Sequence, residues 1–307
     1  MKWKQEDLLV IREDYSCDHY IDNIEEGVIL LHDHVIKGSK IGVFGDYDVD
    51  GITSMFISDR FFDYLGYKVT IKIPDRSEGY GLSKQWVSEN LDLGLIITCD
   101  NGITAHEAIS YAKQNGIDVI VTDHHKPSES LPDCICINPQ IGSSEAVKDS
   151  CGCVVAWLFY DYYMDKFHQS PYMYGFLDIL AIATVADMVS LTNHNRSIVD
   201  VGLGQLNRIP SSIAISNLIM TLGLVNIKST DIGFKIAPVI NAIGRIWQPQ
   251  LAFNFLCGSL VTTEEAIENN KRRKDLQRAS YERALSKIDT SKNIIIYEDD
   301  SIEKGII

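Results

Sequence analysis

The sequence lacks an apolar run long enough to span a membrane, and Met1 to Asp7 contain no apolar core of a signal peptide. It also lacks a basic excess: the net charge of −14 over 307 residues argues against a strongly basic protein that binds any nucleic acid. No internal repeat or low-complexity segment is present, which argues against a solenoid. With 45 % apolar and 23 % charged residues, we expect one large or two modest globular domains.

The sequence also lacks the even, regularly spaced cysteines of a disulfide-bonded protein. The seven cysteines are odd in number and scattered, which is typical of a reducing cytosol, so we expect a cytoplasmic protein. Cys134 and Cys136, with Cys151 and Cys153, offer four thiolates for zinc. The spacing within each pair is C-x-C rather than the commoner C-x2-C, so we favour buried apolar cysteines.

Three aspartates at alternate positions form the most informative stretch of the chain. Asp46, Asp48 and Asp50 follow the apolar run 40–44, a predicted buried strand, and precede the run 55–62, whose apolar positions recur at helical spacing. Ligands of open α/β sheets bind at this end of the strands. Carboxylates this close repel one another unless a cation lies between them, so we predict a divalent-metal site for phosphate chemistry.

The same stretch has two other interpretations. An acidic surface turn has the same local pattern. A calcium-binding loop of the D-x-D-x-D-G kind requires a glutamate at its twelfth position, counted from Asp46, and that position is Ile57. We therefore rank the calcium loop below the turn, and both below the phosphate-chemistry site.

Strands and helices alternate through the first half of the chain. Apolar or alternating runs predict strands at 40–44, 67–73, 93–99, 117–122 and 134–138, and apolar spacing predicts helices at 21–35, 55–62, 83–90 and 105–115. This alternation predicts an α/β fold with a mainly parallel sheet and helices on both faces. Asp100 follows the third strand, and Asp123, His124 and His125 follow the fourth.

The pattern becomes helical after residue 150. Helices are predicted at 154–166, 176–189, 196–207 and 212–222, and a long connecting helix at 263–287. Asp187 lies at the end of the second of these helices. The stretch 271–287 carries seven basic residues against Asp275 and Glu282. Such a stretch is commonly a solvated helix face, and a track for nucleic acid is the alternative.

Oxygen ligands with one or two imidazoles suit manganese or magnesium better than zinc. Such ligands lie at successive predicted strand ends and just beyond them: Asp46, Asp48, Asp50, Asp100, Asp123, His124, His125 and Asp187. Carboxylates shared between two ions form a two-metal site for phosphoryl transfer.

These motifs resemble the Asp-His-His (DHH) phosphoesterases, and most of all RecJ-type exonucleases specific for single-stranded DNA. The matching stretches lie within residues 20–307: they are 44–51, 100–103, 121–125, 186–189 and 238–245, with the loop 74–82. Smaller DHH enzymes, such as nanoRNases and cyclic-dinucleotide phosphodiesterases, usually have a histidine where this chain has Asp46.

The resemblance implies two bound divalent cations, with manganese preferred and magnesium as the alternative. Asp48 and Asp100 are expected to hold one ion with Asp46 near it. The second ion is expected to be held by Asp50, Asp100, His124 and Asp187, so that Asp100 bridges the pair.

The resemblance also implies residues that act on the substrate. His125 is expected to help the leaving oxygen, and Asp123 to orient a histidine. Asn241 and Arg245 are expected to grip the scissile phosphate, because an arginine fork matches phosphate oxygens. Arg76 belongs to the implied pocket for the 5′ end. Tyr80 either stacks on a base or is an ordinary loop tyrosine.

The activity implied is 5′-to-3′ exonuclease digestion of single-stranded DNA by two-metal hydrolysis, with a role in DNA repair and recombination. Short oligonucleotides, cyclic dinucleotides or pyrophosphate are alternative substrates for the same chemistry. A non-catalytic replication scaffold of this fold is a third hypothesis. Loss of motif aspartates would favour the scaffold, and none is lost here.

The predicted organisation is an α/β metal-binding part at 1–150 and a helical part of the same DHH domain at 151–261. A connecting helix follows at 262–290, and the start of a truncated second, DHHA1-like domain at 291–307, with a strand at 293–297. No Gly-Gly-His motif of that second lobe occurs. We therefore expect a catalytic lobe with weak grip on single-stranded DNA or oligonucleotides, and a separate C-terminal domain or DNA-delivery protein as partner.

Overall fold

The computed structural model describes residues 21–143 and 145–288. The strand predicted at 293–297, and with it the proposed second domain at 291–307, lies outside these residues. No helix in the described ranges is both long and apolar enough to cross a membrane.

Five parallel strands form one sheet in the order β2-β1-β3-β4-β5. Their bounds are β1 Ile41–Phe44, β2 Val69–Lys72, β3 Leu95–Cys99, β4 Asp118–Thr122 and β5 Ile135–Ile137. Each strand predicted from the sequence is present but shorter at its ends. β2 stops before Ile73, which precedes Pro74, and proline has no N–H to continue a ladder.

Helices follow or connect the strands. Their bounds are α1 Ile24–Lys37, α2 Val49–Tyr64, α3 Lys84–Glu89, α4 His106–Gln114, α5 Gly152–His168, α6 Leu177–Ala186, α7 Asn193–Leu206, α8 Ile213–Thr221, α9 Ser229–Asp231, α10 Ala237–Ile246, α11 Pro249–Leu256 and α12 Thr263–Leu285. Short 3₁₀ turns lie at Arg76–Glu78 and Tyr172–Phe176, and a π-helical turn at Ile232–Ile236.

The sheet is covered on both faces, as predicted. Alternate residues of a strand point to opposite faces, so Val43 joins one apolar cluster and Phe44 the other. The larger cluster contains side chains of α1, α2 and α5, and the smaller one contains those of α3 and α4. β1 and β3 are buried along their whole length, which explains why their sequences are continuously apolar.

The helical part is continuous with the α/β part. The larger apolar cluster runs from Ile21 to Ala266, because α5 packs on α1, α2 and the sheet. The predicted helix 176–189 stops earlier, at Ala186, since Met188 has a left-handed backbone with φ of 57°. The predicted domain boundaries at 150 and 261 are not tested by this packing and remain predictions.

The long helix α12 begins with a capping box, in which Thr262 and Glu265 satisfy each other's backbone N–H groups. Lys271 pairs with Glu268 at 3.6 Å and Arg278 with Glu282 at 2.9 Å. These exposed pairs match the solvated face that the sequence favoured. The helix ends two residues before the predicted Lys287.

Candidate metal centre

The strand order creates a crevice at the carboxyl ends of β1 and β3. β1 connects to β2 on one side, whereas β3 continues the sheet on the other side. Ligands of doubly wound sheets bind where the connections diverge in this way. The loop carrying Asp46 and Asp48 follows β1, and Asp100 follows β3. The site predicted from the strand ends therefore lies at this crevice.

One group of carboxylates contains Asp46, Asp48 and Asp100. A ligand oxygen from each lies within 4.8 Å of the others. Asp48 is the N-cap of α2 and accepts a hydrogen bond from Gly51 N at 3.1 Å. Asp100 has a positive φ of 62°, a conformation that aspartate tolerates better than most residues. The start of α2 and the turn after β3 thus aim these side chains at one point.

A second group contains Asp50, His124 and Asp187. His124 Nε2 lies 3.8 Å from Asp50 Oδ2, and its Nδ1 lies 3.9 Å from Asp187 Oδ2. The same Nε2 lies 3.2 Å from Asp100 Oδ1. Asp100 and His124 also form a third group with His125. The two sets of residues expected from the sequence are therefore adjacent, with Asp100 of one set beside His124 of the other, and the sharing of Asp100 between two ions stays a prediction.

The start of α5 holds Asp50, a contact that the sequence analysis missed. Gly152 N donates to Asp50 Oδ2 at 2.6 Å, and Cys153 N donates to Oδ1 at 2.9 Å. A carboxylate at a helix N-terminus is stabilised by these free N–H groups and by the helix dipole. The helix predicted at 154–166 begins two residues earlier in the structure, at Gly152, so the sequence offered no clear signal for this contact. The partner of Gly152 lies 102 positions away and could not be identified without the fold.

We expect Gly152→Ala to disturb the site. A β-carbon at this position would lie 2.6 Å from Asp100 Cβ, so either α5 or Asp100 must move. Overpacking of this kind costs about 1–3 kcal/mol. The variant should unfold at lower temperature and bind Mn²⁺ more weakly.

Thermal unfolding and calorimetric titration with Mn²⁺ measure both effects. The matched control is Gly204→Ala in α7, where the nearest atom to a new β-carbon is 3.9 Å away. Alanine favours a helix, so the control should be neutral or slightly stabilised. Wild-type metal affinity and stability in Gly152→Ala would contradict the packing argument.

Asp123 lies beside the metal groups and holds His125. Its Oδ1 lies 2.8 Å from His125 Nδ1 and accepts from His124 N at 2.7 Å, while Oδ2 accepts from Ile103 N at 3.0 Å. Burial raises the pKa of Asp123, but hydrogen bonds from His125 and Ile103 outweigh it and leave the pKa below its usual range. The Tyr80 hydroxyl lies 3.0 Å from His125 Nδ1. Tyr80 thus contacts the histidine, a role not foreseen from sequence.

Burial and mutual repulsion make the metal-free carboxylates hard to ionise. Burial and the neighbouring Asp48 raise the pKa of Asp46 to about 7. Burial and Asp50 raise the pKa of Asp187 to about 7. Burial and Asp50 also hold the pKa of Asp100 well above its ordinary value. A bound cation would therefore stabilise the ionised form of all three carboxylates, as their crowding in the sequence predicted.

These shifts predict how the stability of the metal-free protein depends on pH. Carboxyls with a raised pKa in the fold bind protons more tightly than they do in the unfolded chain, so their stabilisation is lost as pH rises from about 4 through about 7. In EDTA, the protein should be less stable at pH 8 than at pH 5.5, by on the order of 2 kcal/mol. Differential scanning calorimetry at both pH values measures this.

The same measurement in excess Mn²⁺ provides the comparison with the metal-free protein. Metal binding needs ionised carboxylates, so the ion should raise the melting temperature more at pH 8 than at pH 5.5. A metal-free protein with equal or greater stability at pH 8 would contradict repulsion among these carboxylates.

Arginines lie at the mouth of the site. The Arg76 guanidinium stacks over the Tyr47 ring at 4.3 Å, a contact that the sequence analysis missed. Burial and the nearby Arg76 lower the pKa of Arg245, while Asp48 opposes this. Asn241 and Arg245 line the same groove on α10. The structure therefore brings the predicted phosphate-gripping residues to the edge of the carboxylate groups.

The residues at this centre fit a divalent metal ion. Oδ1 of Asp46 is buried and has no hydrogen-bond partner among the described residues. The donors are carboxylate oxygens and imidazole nitrogens, which suit manganese or magnesium. The zinc alternative gains no support, since no cysteine belongs to a potential metal group in the described ranges. Cys136, Cys151 and Cys153 are buried, as expected, and Cys134 is half-buried.

The fold and site together define a doubly wound α/β protein with a carboxylate–imidazole centre for divalent metal ions. Residues 40–184 match the model of the DHH family, N-terminal domain. The chain belongs to the DHH family and, within it, groups with the RecJ proteins. The resemblance inferred from the motifs is confirmed.

Three matches, two of them to the RecJ protein of Thermus thermophilus, show this grouping. The chain is 31 % identical to the single-stranded-DNA-specific exonuclease RecJ of Thermus thermophilus over 94 % of its own length and 44 % of that protein's. A crystal structure of exonuclease RecJ bound to manganese superposes with a TM-score of 0.85 at 30 % identity, covering 94 % of this chain and 75 % of that one. The structure of Thermus thermophilus RecJ in complex with magnesium superposes with a TM-score of 0.72 at 26 % identity. The match covers 93 % of this chain and 40 % of that one. The chain thus spans less than half of its curated Thermus relative.

Proposed function

We propose that this chain is a metal-dependent phosphodiesterase that removes nucleotides from the 5′ end of single-stranded DNA. The observation that carries the proposal is the meeting of two ligand groups at Asp100, one with Asp46 and Asp48 and the other with Asp50, His124 and Asp187. Support comes from the RecJ relatives, which are named exonucleases specific for single-stranded DNA.

In this proposal Asp46, Asp48 and Asp100 hold one cation, while Asp50, Asp100, His124 and Asp187 hold the second. Manganese is the proposed ion and magnesium the alternative, since RecJ relatives were crystallised with each of them. Two bound divalent ions supply an activated water and neutralise charge on the phosphate. The contribution of α5 is to fix Asp50 with two backbone N–H groups, so that the carboxylate is oriented before metal arrives.

His125 is the proposed proton donor to the leaving oxygen. Asp123 faces Nδ1 of His125 at 2.8 Å, and this hydrogen bond raises the pKa of the imidazole. Nδ1 then carries a proton directed at Asp123, which leaves Nε2 to give its proton to the leaving group. Asp123 positions the ring and does not itself react.

Arg245 and Asn241 grip the scissile phosphate in this proposal, and Arg76 binds near the 5′ end. A guanidinium fork matches two phosphate oxygens in its plane. The Tyr47 ring beneath Arg76 fixes the orientation of that side chain. The arginines therefore neutralise charge that develops on the phosphate during bond cleavage.

The test is digestion of 5′-labelled single-stranded and duplex DNA of the same sequence with Mn²⁺, resolved by product length. We expect mononucleotides from the single strand and slower release from the duplex. Labelled products that stay longer than one nucleotide, or no product with any divalent ion, would contradict the proposal.

Short oligonucleotides are a second candidate substrate. The net charge is −14, and basic residues of α12 such as Lys271 and Arg278 are paired with acids of the same helix. Few phosphate contacts therefore remain for a long strand, and its affinity should fall steeply with salt. Faster turnover of short than of long strands at physiological salt would favour this candidate, and processive digestion of long strands would exclude it.

A further inference from the structure

A groove beside the metal centre has a cavity volume of about 450 Å³, and among its lining residues only Asn241 and Arg245 have a role in the proposal above. It lies between the end of α6, the π-helical turn, α10 and α12. Six of its lining residues matter here: Met188, Phe234, Pro238, Asn241, Arg245 and Arg273. This volume lies in the usual range of about 300–1,000 Å³ for pockets that bind small ligands.

One end of the groove is cationic. Arg273 of α12 shares it with Arg245, and burial, Arg76 and Arg273 lower the pKa of Arg245. Neutral amides hold Arg273: its Nε donates to Asn270 Oδ1 at 3.2 Å and its Nη1 to Gln277 Oε1 at 3.4 Å. No carboxylate pairs with Arg273 among the described residues. Two guanidinium groups that repel each other over one opening favour a bound anion.

Other basic residues of α12 are paired with carboxylates, unlike Arg273 in the described part of the chain. Lys271 and Arg278 are paired with glutamates of the same helix and do not line the groove. Asn241 lines the same groove about one helical turn before Arg245 on α10, and its buried Oδ1 has no hydrogen-bond partner in the described residues. A polar ligand that both donates and accepts hydrogen bonds therefore fits this end.

The groove also has apolar, exposed lining residues. Phe234 is 77 % exposed and Met188 is 88 % exposed, although both are large apolar side chains. Phe234 lies in the π-helical turn, and π-turns within helices are frequent at functional sites. Met188 directly follows Asp187 and has the left-handed φ of 57°. Exposed aromatic and thioether groups next to cations provide a surface for a flat, apolar ring.

From this arrangement we infer that the groove binds one nucleotide of the substrate, with its phosphate between Arg245 and Arg273 and its base against Phe234 and Met188. The inference rests on the proposed function, which brings a nucleic acid strand to the metal centre. In this arrangement Arg273, on the long helix α12, helps to select a ligand that carries a phosphate. The inference also predicts that a nucleoside monophosphate binds better than phosphate alone.

Calorimetric titration of the Mg²⁺-loaded protein with dAMP and, separately, with inorganic phosphate tests the inference. We expect dAMP to bind at least about tenfold more tightly, because base stacking adds to the phosphate contacts. Arg273→Gln should weaken both ligands by about tenfold, since a charge-assisted contact is lost. Phe234→Ala should weaken dAMP by a similar factor while changing the affinity for phosphate less than about twofold.

Arg278→Gln is the matched control, because it removes an arginine of the same helix that is paired with Glu282 outside the groove. Its affinities should equal those of the wild type, and melting temperatures show that each variant is folded. Equal affinity for dAMP and phosphate, or unchanged binding in Arg273→Gln, would overturn the inference.

Mn²⁺-dependent hydrolysis of bis(p-nitrophenyl) phosphate by the wild type, followed in parallel, tests the proposed function separately. This small diester contains no nucleobase. Absence of its hydrolysis together with selective dAMP binding would reject the nuclease proposal while supporting the groove.

Discussion

Asp100→Asn is expected to reduce Mn²⁺-dependent phosphodiester hydrolysis by on the order of 10³-fold or more while the fold survives. Asp100 is the residue at which the two ligand groups meet, and its Oδ1 lies 3.2 Å from His124 Nε2. An amide keeps the shape of the side chain but loses the charge that holds a cation. Asparagine also tolerates the positive φ of 62° at this position, so the backbone need not change.

The same substitution should stabilise the metal-free protein. Burial and repulsion from Asp50 disfavour the charge on Asp100, and asparagine removes that charge. In EDTA at pH 8, Asp100→Asn should melt at a higher temperature than the wild type, and Mn²⁺ should raise its melting temperature less. These opposite effects on activity and stability distinguish loss of a ligand from loss of the fold.

Asp92→Asn provides the control, since Asp92 is exposed and pairs with Lys40 away from the centre. It should retain activity and the metal response of the wild type. Full activity of Asp100→Asn, or a melting temperature in EDTA well below that of the wild type, would reject the shared-ligand assignment of Asp100.

Arg245→Lys is expected to lower turnover by about 10²-fold without changing the affinity for Mn²⁺. Lysine keeps the positive charge but loses the planar fork that donates to two phosphate oxygens. Arg245 lies close enough to Asp48 for their charges to interact, but it offers no ligand atom to the metal groups. We therefore expect kcat to decrease while the metal content of the variant stays equal to that of the wild type.

Steady-state kinetics and metal titration of the same preparation separate these effects. Arg278→Lys, on the exposed face of α12, is the corresponding control and should behave as wild type. Normal turnover in Arg245→Lys, or loss of its metal ions, would show that Arg245 has a different role.

The sheet and the position of the metal centre were predictable from local sequence patterns. β1 and β3 are continuously apolar because both faces are covered; Asp100 directly follows β3, and Asp46 follows β1 after one glycine. Since the carboxyl ends of parallel strands meet at one edge, side chains that follow successive strands must converge there. Local patterns thus identified the candidate ligands, whereas their coordination of metal stays a prediction.

Contacts between distant segments were not predictable in this way. The backbone of Gly152 and Cys153 orients Asp50, and the Tyr80 hydroxyl contacts His125. Neither contact has a periodic or local signal, because each depends on how a helix or loop packs across the sheet. Arg273 is a similar case: the seven basic residues of its stretch look alike in the sequence, and only packing shows which one enters the groove.

The sequence by itself determined the α/β class, the covered parallel sheet, the DHH motifs and the family, because these depend on periodicity and on short segments of defined chemistry. Tertiary structure alone decided that α5 anchors Asp50 and that Arg273 lines one groove with Arg245. The physical reason is distance along the chain. The local sequence does not show which distant group a backbone N–H or a long side chain will contact. That is decided only when packing of the core brings the two segments within hydrogen-bonding or electrostatic range.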